Sequence, residues 1–146
     1  MKDNGLLIDM ESPQLDPDSL YRRTVLVVDD DPFILLYVEK ALCMAKYNVR
    51  TADSENQALA VLREQQIDLV LTDIVMTDSN GFRLAARIEE GNSGLPVLFM
   101  TGAPPETDQY TQDLSQAGLL LRKPFGPQQL WDFLASALSK GFTSVS

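Results

Sequence analysis

Five short apolar runs alternate with stretches of helical spacing, and this order predicts an α/β protein on one parallel sheet. The runs are continuous rather than alternating in polarity. Strands of that kind are buried on both faces, with helices on each side of the sheet. Acidic residues also gather directly behind two of the runs, at the sheet edge where such folds carry their ligand sites.

The elements follow in order. "TVLVVD" (24–29) reads as a buried strand, and helical spacing runs from Phe33 to about Ala45. Asp31 before Pro32 fits an N-cap followed by proline at the first helical position. Cys43, within "ALCMA", is expected to be a small buried hydrophobe. "NVRTA" (48–52) is a weaker strand, with Asp53 as a turn residue. Ser54 caps a helix over 54–66, whose Ala58, Val61 and Leu62 share a face. "IDLVLTD" (67–73) is the next buried strand; a loop to Gly81 leads into a helix marked by Leu84, Ala85 and Ile88. "LPVLFMT" (95–101) is another strand, Tyr110, Leu114 and Ala117 mark a helix, and "GLLLR" (118–122) is the last strand. Leu130, Phe133, Leu134, Ala137 and Leu138 keep the spacing of a core-facing helix, with Trp131 expected at the edge of the core.

This organisation predicts one domain over residues 23–140, after an acidic, flexible N-terminal extension (1–22) and before a short tail (141–146). No DNA-binding or catalytic output module is expected in the chain. The net charge is −9, from 12 Lys and Arg against 21 Asp and Glu. That balance opposes direct binding to nucleic acid or an anionic membrane, and no apolar run approaches spanning length. The chain has no histidine and one cysteine. An internal disulfide and phosphohistidine chemistry are thereby excluded, zinc is disfavoured, and a reducing, cytoplasmic setting is expected.

The strand ends deliver Asp29 and Asp30, then Asp73, Thr101 and Lys123. Three carboxylates from two strands make a hard-oxygen site suited to Mg²⁺, which keeps several waters and commonly completes its shell with phosphate. Beside such an ion Asp73 is placed to act as a nucleophile on phosphorus. Lys123 offers a positive charge, and Thr101 a hydroxyl, to the oxygens of a transferring phosphoryl group.

The motifs "VLVVDDDP", "DLVLTDIVMTDSNGF", "PVLFMTG" and "LRKPF" together resemble the receiver domain of two-component response regulators, over about residues 23–140. The resemblance implies a flavodoxin-like fold of five βα units. It implies Asp73 as phosphoacceptor, with a sensor histidine kinase or histidine phosphotransfer protein as donor. Asp30 would bind Mg²⁺ directly and Asp29 directly or through water, with Asp73 and the backbone carbonyl of Val75 completing the protein ligands. Thr101 and Lys123 would contact the phosphoryl group, and Lys123–Pro124 would match a step that is usually cis. It implies a signalling domain rather than an enzyme, one that catalyses only its own phosphorylation and dephosphorylation. Its output would be a downstream protein partner or effector domain outside this chain, or a homodimer through the fourth helix, last strand and last helix.

Two positions depart from the family. Thr77 replaces the usual proline and is expected to alter only the loop. Leu120 replaces the Tyr or Phe that normally moves with the threonine hydroxyl, so the switch region is Thr101 and Leu120. Leucine can change rotamer but offers no hydrogen bond. Two rivals use the same residues. A haloacid-dehalogenase-type phosphatase would take Asp29 as nucleophile and Asp31 as acid/base, but its motif runs on to Thr or Val, where this chain has Phe33, and no acidic pair follows Lys123. The other is an unphosphorylated pseudo-receiver that acts only as an interaction module.

Overall fold

A computed structural model describes residues 22–103 and 108–139. The expected extension, apart from Arg22, and the expected tail lie outside these residues. The described chain runs β1 (Thr24–Val28), α1 (Pro32–Met44), β2 (Asn48–Ala52), α2 (Glu55–Glu64), β3 (Leu69–Asp73), α3 (Gly81–Gly91), β4 (Val97–Thr101), α4 (Gln109–Gln116), β5 (Leu120–Arg122) and α5 (Pro127–Ser139). The five strands form one parallel sheet in the order β2-β1-β3-β4-β5. This is the flavodoxin-like order, in which the winding reverses between β1 and β3.

The continuous apolar character of β1 follows from its two covered faces. Val25 and Val27 pack with Val38, Ala41 and Leu42 of α1 and with Leu130, Leu134 and Ala137 of α5. The alternate residues Leu26 and Val28 pack with Ala58 and Val61 of α2 and Leu84 and Ile88 of α3. One strand thus feeds both cores, as the two-residue side-chain period requires.

Helix starts follow their caps. The Asp31 carboxylate accepts from the Phe33 amide, with Pro32 in the first helical turn. Ser54, Asn80 and Asp108 cap α2, α3 and α4 by the same kind of side-chain bond. Several elements are shorter than the sequence suggests. The strand expected from Ile67 begins at Leu69, because the Asp68 carboxylate turns aside to accept from the Thr24 amide at 2.8 Å. The strand expected from Leu95 begins at Val97, after Pro96, which has no N–H to give a ladder.

Cys43 corrects its expectation: it is exposed. On α1, Val38, Ala41 and Leu42 make the inward stripe. A further step of about 100° carries Cys43 out to solvent beside Met44, which is 69% exposed. Trp131 is half-buried at the edge of the core, as expected, and its indole N–H donates to the Ala41 carbonyl at 2.8 Å. Among the described residues no helix is long and apolar enough to cross a membrane.

Candidate functional site

The carboxyl ends of β1, β3, β4 and β5 lie along one sheet edge, two of them on either side of the winding reversal. Asp73 is the last residue of β3 and is buried. Its position depends on a close approach behind it. The Gly81 amide donates to the Ile74 carbonyl at 2.7 Å, and a Cβ on Gly81 would stand 2.5 Å from the Asp73 carbonyl oxygen. Only glycine allows α3 to start so near the strand end. Between them the chain makes a tight loop, with Val75 bridged to Asn80 and the Met76 amide donating to the Ser79 carbonyl at 3.2 Å.

Asp29 leaves β1 directly into the site and is 1% exposed. One of its oxygens accepts from the Asp31 amide at 2.9 Å and the other from the Lys123 ammonium at 2.8 Å. Lys123 Nζ also lies 3.4 Å from Asp73 Oδ1, so one ammonium bridges two buried carboxylates. Lys123 is delivered by β5, where its amide donates to the Thr101 carbonyl at 2.8 Å, and the Lys123–Pro124 peptide that follows is cis.

Asp30 does not join this ion pair. Its Oδ2 accepts from both the amide (2.7 Å) and the hydroxyl (2.6 Å) of Thr77, in the β3–α3 loop. Even so, one carboxylate oxygen from each of Asp29, Asp30 and Asp73 lies within 4.8 Å of the others. Thr101 stands at the same edge, buried, with its hydroxyl oxygen accepting from the Ala103 amide at 3.0 Å. Leu120 is in the core, paired across the ladder with Phe99.

Electrostatics set Asp73 and Asp30 apart. Burial, then the Asp29 charge, pushes the Asp73 carboxyl up to about 6, against the pull of Lys123 and the Val75 amide. The Thr77 hydroxyl and amide hold Asp30 below the usual carboxylate range. Burial pulls the Lys123 ammonium down, but Asp29 and Asp73 outweigh it and its proton is held more tightly than usual. With all three acids ionised, three negative charges and one positive leave two negative charges in one place. Clustered hard oxygens with that residual charge fit a small divalent cation such as Mg²⁺.

Two features escaped the sequence. Thr77, expected to change only the loop, ties that loop to the end of β1. Behind it lies a buried acid, Glu55, in the first turn of α2. Glu55 accepts from the Ser79 hydroxyl, from Arg87 at 2.6 Å and pairs with Arg83 at 3.5 Å. Burial raises its carboxyl, yet Ser79 and the two arginines more than offset this and hold it low. In sequence Glu55 reads only as an ordinary first-turn acid. Its partners Ser79, Arg83 and Arg87 share a four-residue spacing among themselves but stand 24 to 32 residues from Glu55, so nothing local to it announces them.

Residues 25–135 match the family model described as the response regulator receiver domain. The chain is 32% identical over 123 residues to the probable transcriptional regulatory protein TcrX of Mycobacterium tuberculosis, covering 84% of this chain and 53% of that protein. It is 33% identical to the phosphate regulon transcriptional regulatory protein PhoB of Pseudomonas aeruginosa, covering 81% of this chain and 52% of that one. The chain thus spans about half the length of these two relatives, and still less of others such as GlrR of Escherichia coli, of which it covers 26%. Among solved structures, the chemotaxis response regulator CheY4 of Vibrio cholerae superposes with a TM-score of 0.68 at 30% identity, over 79% of this chain and 98% of that one.

Proposed function

The chain belongs to the response regulator receiver family, a signalling domain of two-component systems, and on that footing we propose that Asp73 accepts a phosphoryl group from a partner phosphohistidine. One observation carries the reading: the buried Asp73 carboxylate, two further carboxylates and the Lys123 ammonium converge at one sheet edge. In the step, an Asp73 oxygen forms a bond to phosphorus as the bond to the donor's imidazole nitrogen breaks. The imidazole then takes up a proton from solvent. Asp29, Asp30, Asp73 and the Val75 carbonyl are the proposed ligands of Mg²⁺, which supplies positive charge to the phosphoryl oxygens when bound.

Lys123 already spans Asp29 and Asp73. It holds that charge ready for a phosphoryl oxygen on Asp73, with little reorganisation at the moment of transfer. The Thr101 hydroxyl is the proposed second donor, exchanging its contact with Ala103 for the phosphoryl group. Asp31 is engaged as a helix cap, which speaks against a phosphatase that needs it as acid/base. Apolar surface beside the site supports a protein donor. Phe33 in the first turn of α1 is 80% exposed, and Val75, two residues after Asp73, is 66% exposed.

A sensor histidine kinase or histidine phosphotransfer protein is the donor this reading requires, in a cytoplasmic setting. The output is a changed fit to a downstream protein partner, or a homodimer through α4, β5 and α5. Leu120 is buried there and has no hydrogen bond to offer, so a shift of Thr101 would reach that face through packing. The proposed domain spans 23–140. The chain's net charge of −9 supports a protein partner over direct contact with nucleic acid or a membrane.

The test is chemical. With acetyl phosphate and Mg²⁺, the intact chain should gain one phosphoryl group by mass spectrometry, and Asp73→Asn should gain none. Equal labelling of both would contradict the assignment, and no labelling of either would favour the pseudo-receiver.

A further inference from the structure

We propose that Thr77 is a positioning residue for the metal site, holding the Asp30 carboxylate in its cation-ready orientation through a double hydrogen bond. The inference rests on the proposed binding of a divalent cation by Asp29, Asp30 and Asp73.

Asp30 is the acid of the three that most needs such help. Asp29 is fixed by Lys123 and the Asp31 amide, and Asp73 by the strand it ends. Asp30 lies beyond the end of β1 and makes no ion pair with Lys123. An aspartate in such a place samples several rotamers, and ordering it costs conformational entropy. Thr77 removes that freedom. Its amide and its hydroxyl converge on the same oxygen, Oδ2, at 2.7 and 2.6 Å. Two donors on one oxygen fix the plane of the carboxylate and hence the direction of Oδ1. In this pose Asp30 still has an oxygen within 4.8 Å of those of Asp29 and Asp73. The bonds therefore hold it in the cluster rather than drawing it out. Partners of this kind, one step outside the ligands, orient those ligands and raise metal affinity.

Thr77 can do this only if its loop is fixed, and the Glu55 cluster fixes it. Thr77 lies between Met76 and Ser79, whose backbones bond across the turn. The Ser79 hydroxyl donates to the buried Glu55, which Arg87 and Arg83 of α3 hold from the other side. The loop is thus clamped at Ser79 to α2 and α3 while Thr77 reaches to β1. Removing the hydroxyl of a residue in an exposed turn does not threaten the core, so its consequence is local.

The experiment is titration calorimetry of Mg²⁺ into the unphosphorylated full chain, with circular dichroism to check the fold. Thr77→Val keeps the branched shape and the amide but loses the hydroxyl, and Thr77→Ala is a second truncation. Both should weaken Mg²⁺ binding by about tenfold. Thr77→Ser restores the hydroxyl and should bind within about twofold of the parent. Asp30→Ala should abolish binding. Affinity in Thr77→Val and Thr77→Ala equal to or tighter than the parent's overturns the inference, as does a serine variant as weak as the valine. In both cases the parent still binds, so the metal reading stands. A parent that binds no Mg²⁺ overturns the metal reading and this inference with it.

Discussion

At the scale of single residues, Asp73 makes the most specific demand on the fold. Its carboxyl ordinarily titrates near 3.8, and burial and the Asp29 charge raise it to about 6 in the folded chain. The sign follows. A raised carboxyl favours the folded state while it is protonated, below about pH 4, and that contribution is lost as pH rises through 6. A rise from 3.8 to about 6 corresponds to roughly 2–3 kcal/mol as an upper figure. Without metal, Asp73→Asn should therefore match the parent in urea unfolding near pH 4 and exceed it near pH 7.5. A difference between the two that does not change with pH would contradict this account. Elsewhere at this scale the sequence was legible where one residue acts on its neighbours. Asp31 could be read as a cap because its partner is two residues away. Thr77 could not be read as a partner of Asp30, because 47 residues separate them and only the folded loop brings them together. The exposure of Cys43 is not legible, because apolar neighbours do not say which side of a helix they share.

Elements were legible in kind and less so in extent. The five apolar runs all became strands, but β5 kept only Leu120–Arg122 of the five residues in "GLLLR". Gly118 has a φ of +78° and belongs to the turn that closes α4, a conformation set by the helix end rather than by polarity. Helix α5 shows how packing sorts its residues. Leu134 is fully buried, whereas Trp131 is half-buried and joined to α1 through the Ala41 carbonyl. Leu134→Ala should cost about 2–5 kcal/mol, as large-to-small changes in packed cores do. Trp131→Phe loses mainly one hydrogen bond and should cost about 1 kcal/mol. Urea unfolding of the two variants checks the order. A Trp131→Phe loss as large as that of Leu134→Ala would mean that α5 is anchored at its edge instead of its centre.

For the whole molecule, the parallel sheet is what makes the site. Strands that are distant in sequence all point their carboxyl ends to one edge, so Asp29, Asp73 and Lys123 meet although they span 94 residues. That convergence could be foreseen from the strand ends alone. The clamp around Glu55 could not, since it joins two helices and a loop through one buried carboxylate and no strand end. Under the proposed function, phosphorylation falls on Asp73 and on no other acid of this edge. Borohydride reduces an aspartyl phosphate to homoserine, so peptide mapping after acetyl phosphate treatment locates the acceptor directly. Homoserine is expected at position 73 alone, and only when Mg²⁺ was present. Homoserine at position 29 or 30, or a yield at 73 unaffected by Mg²⁺, would contradict the proposed function.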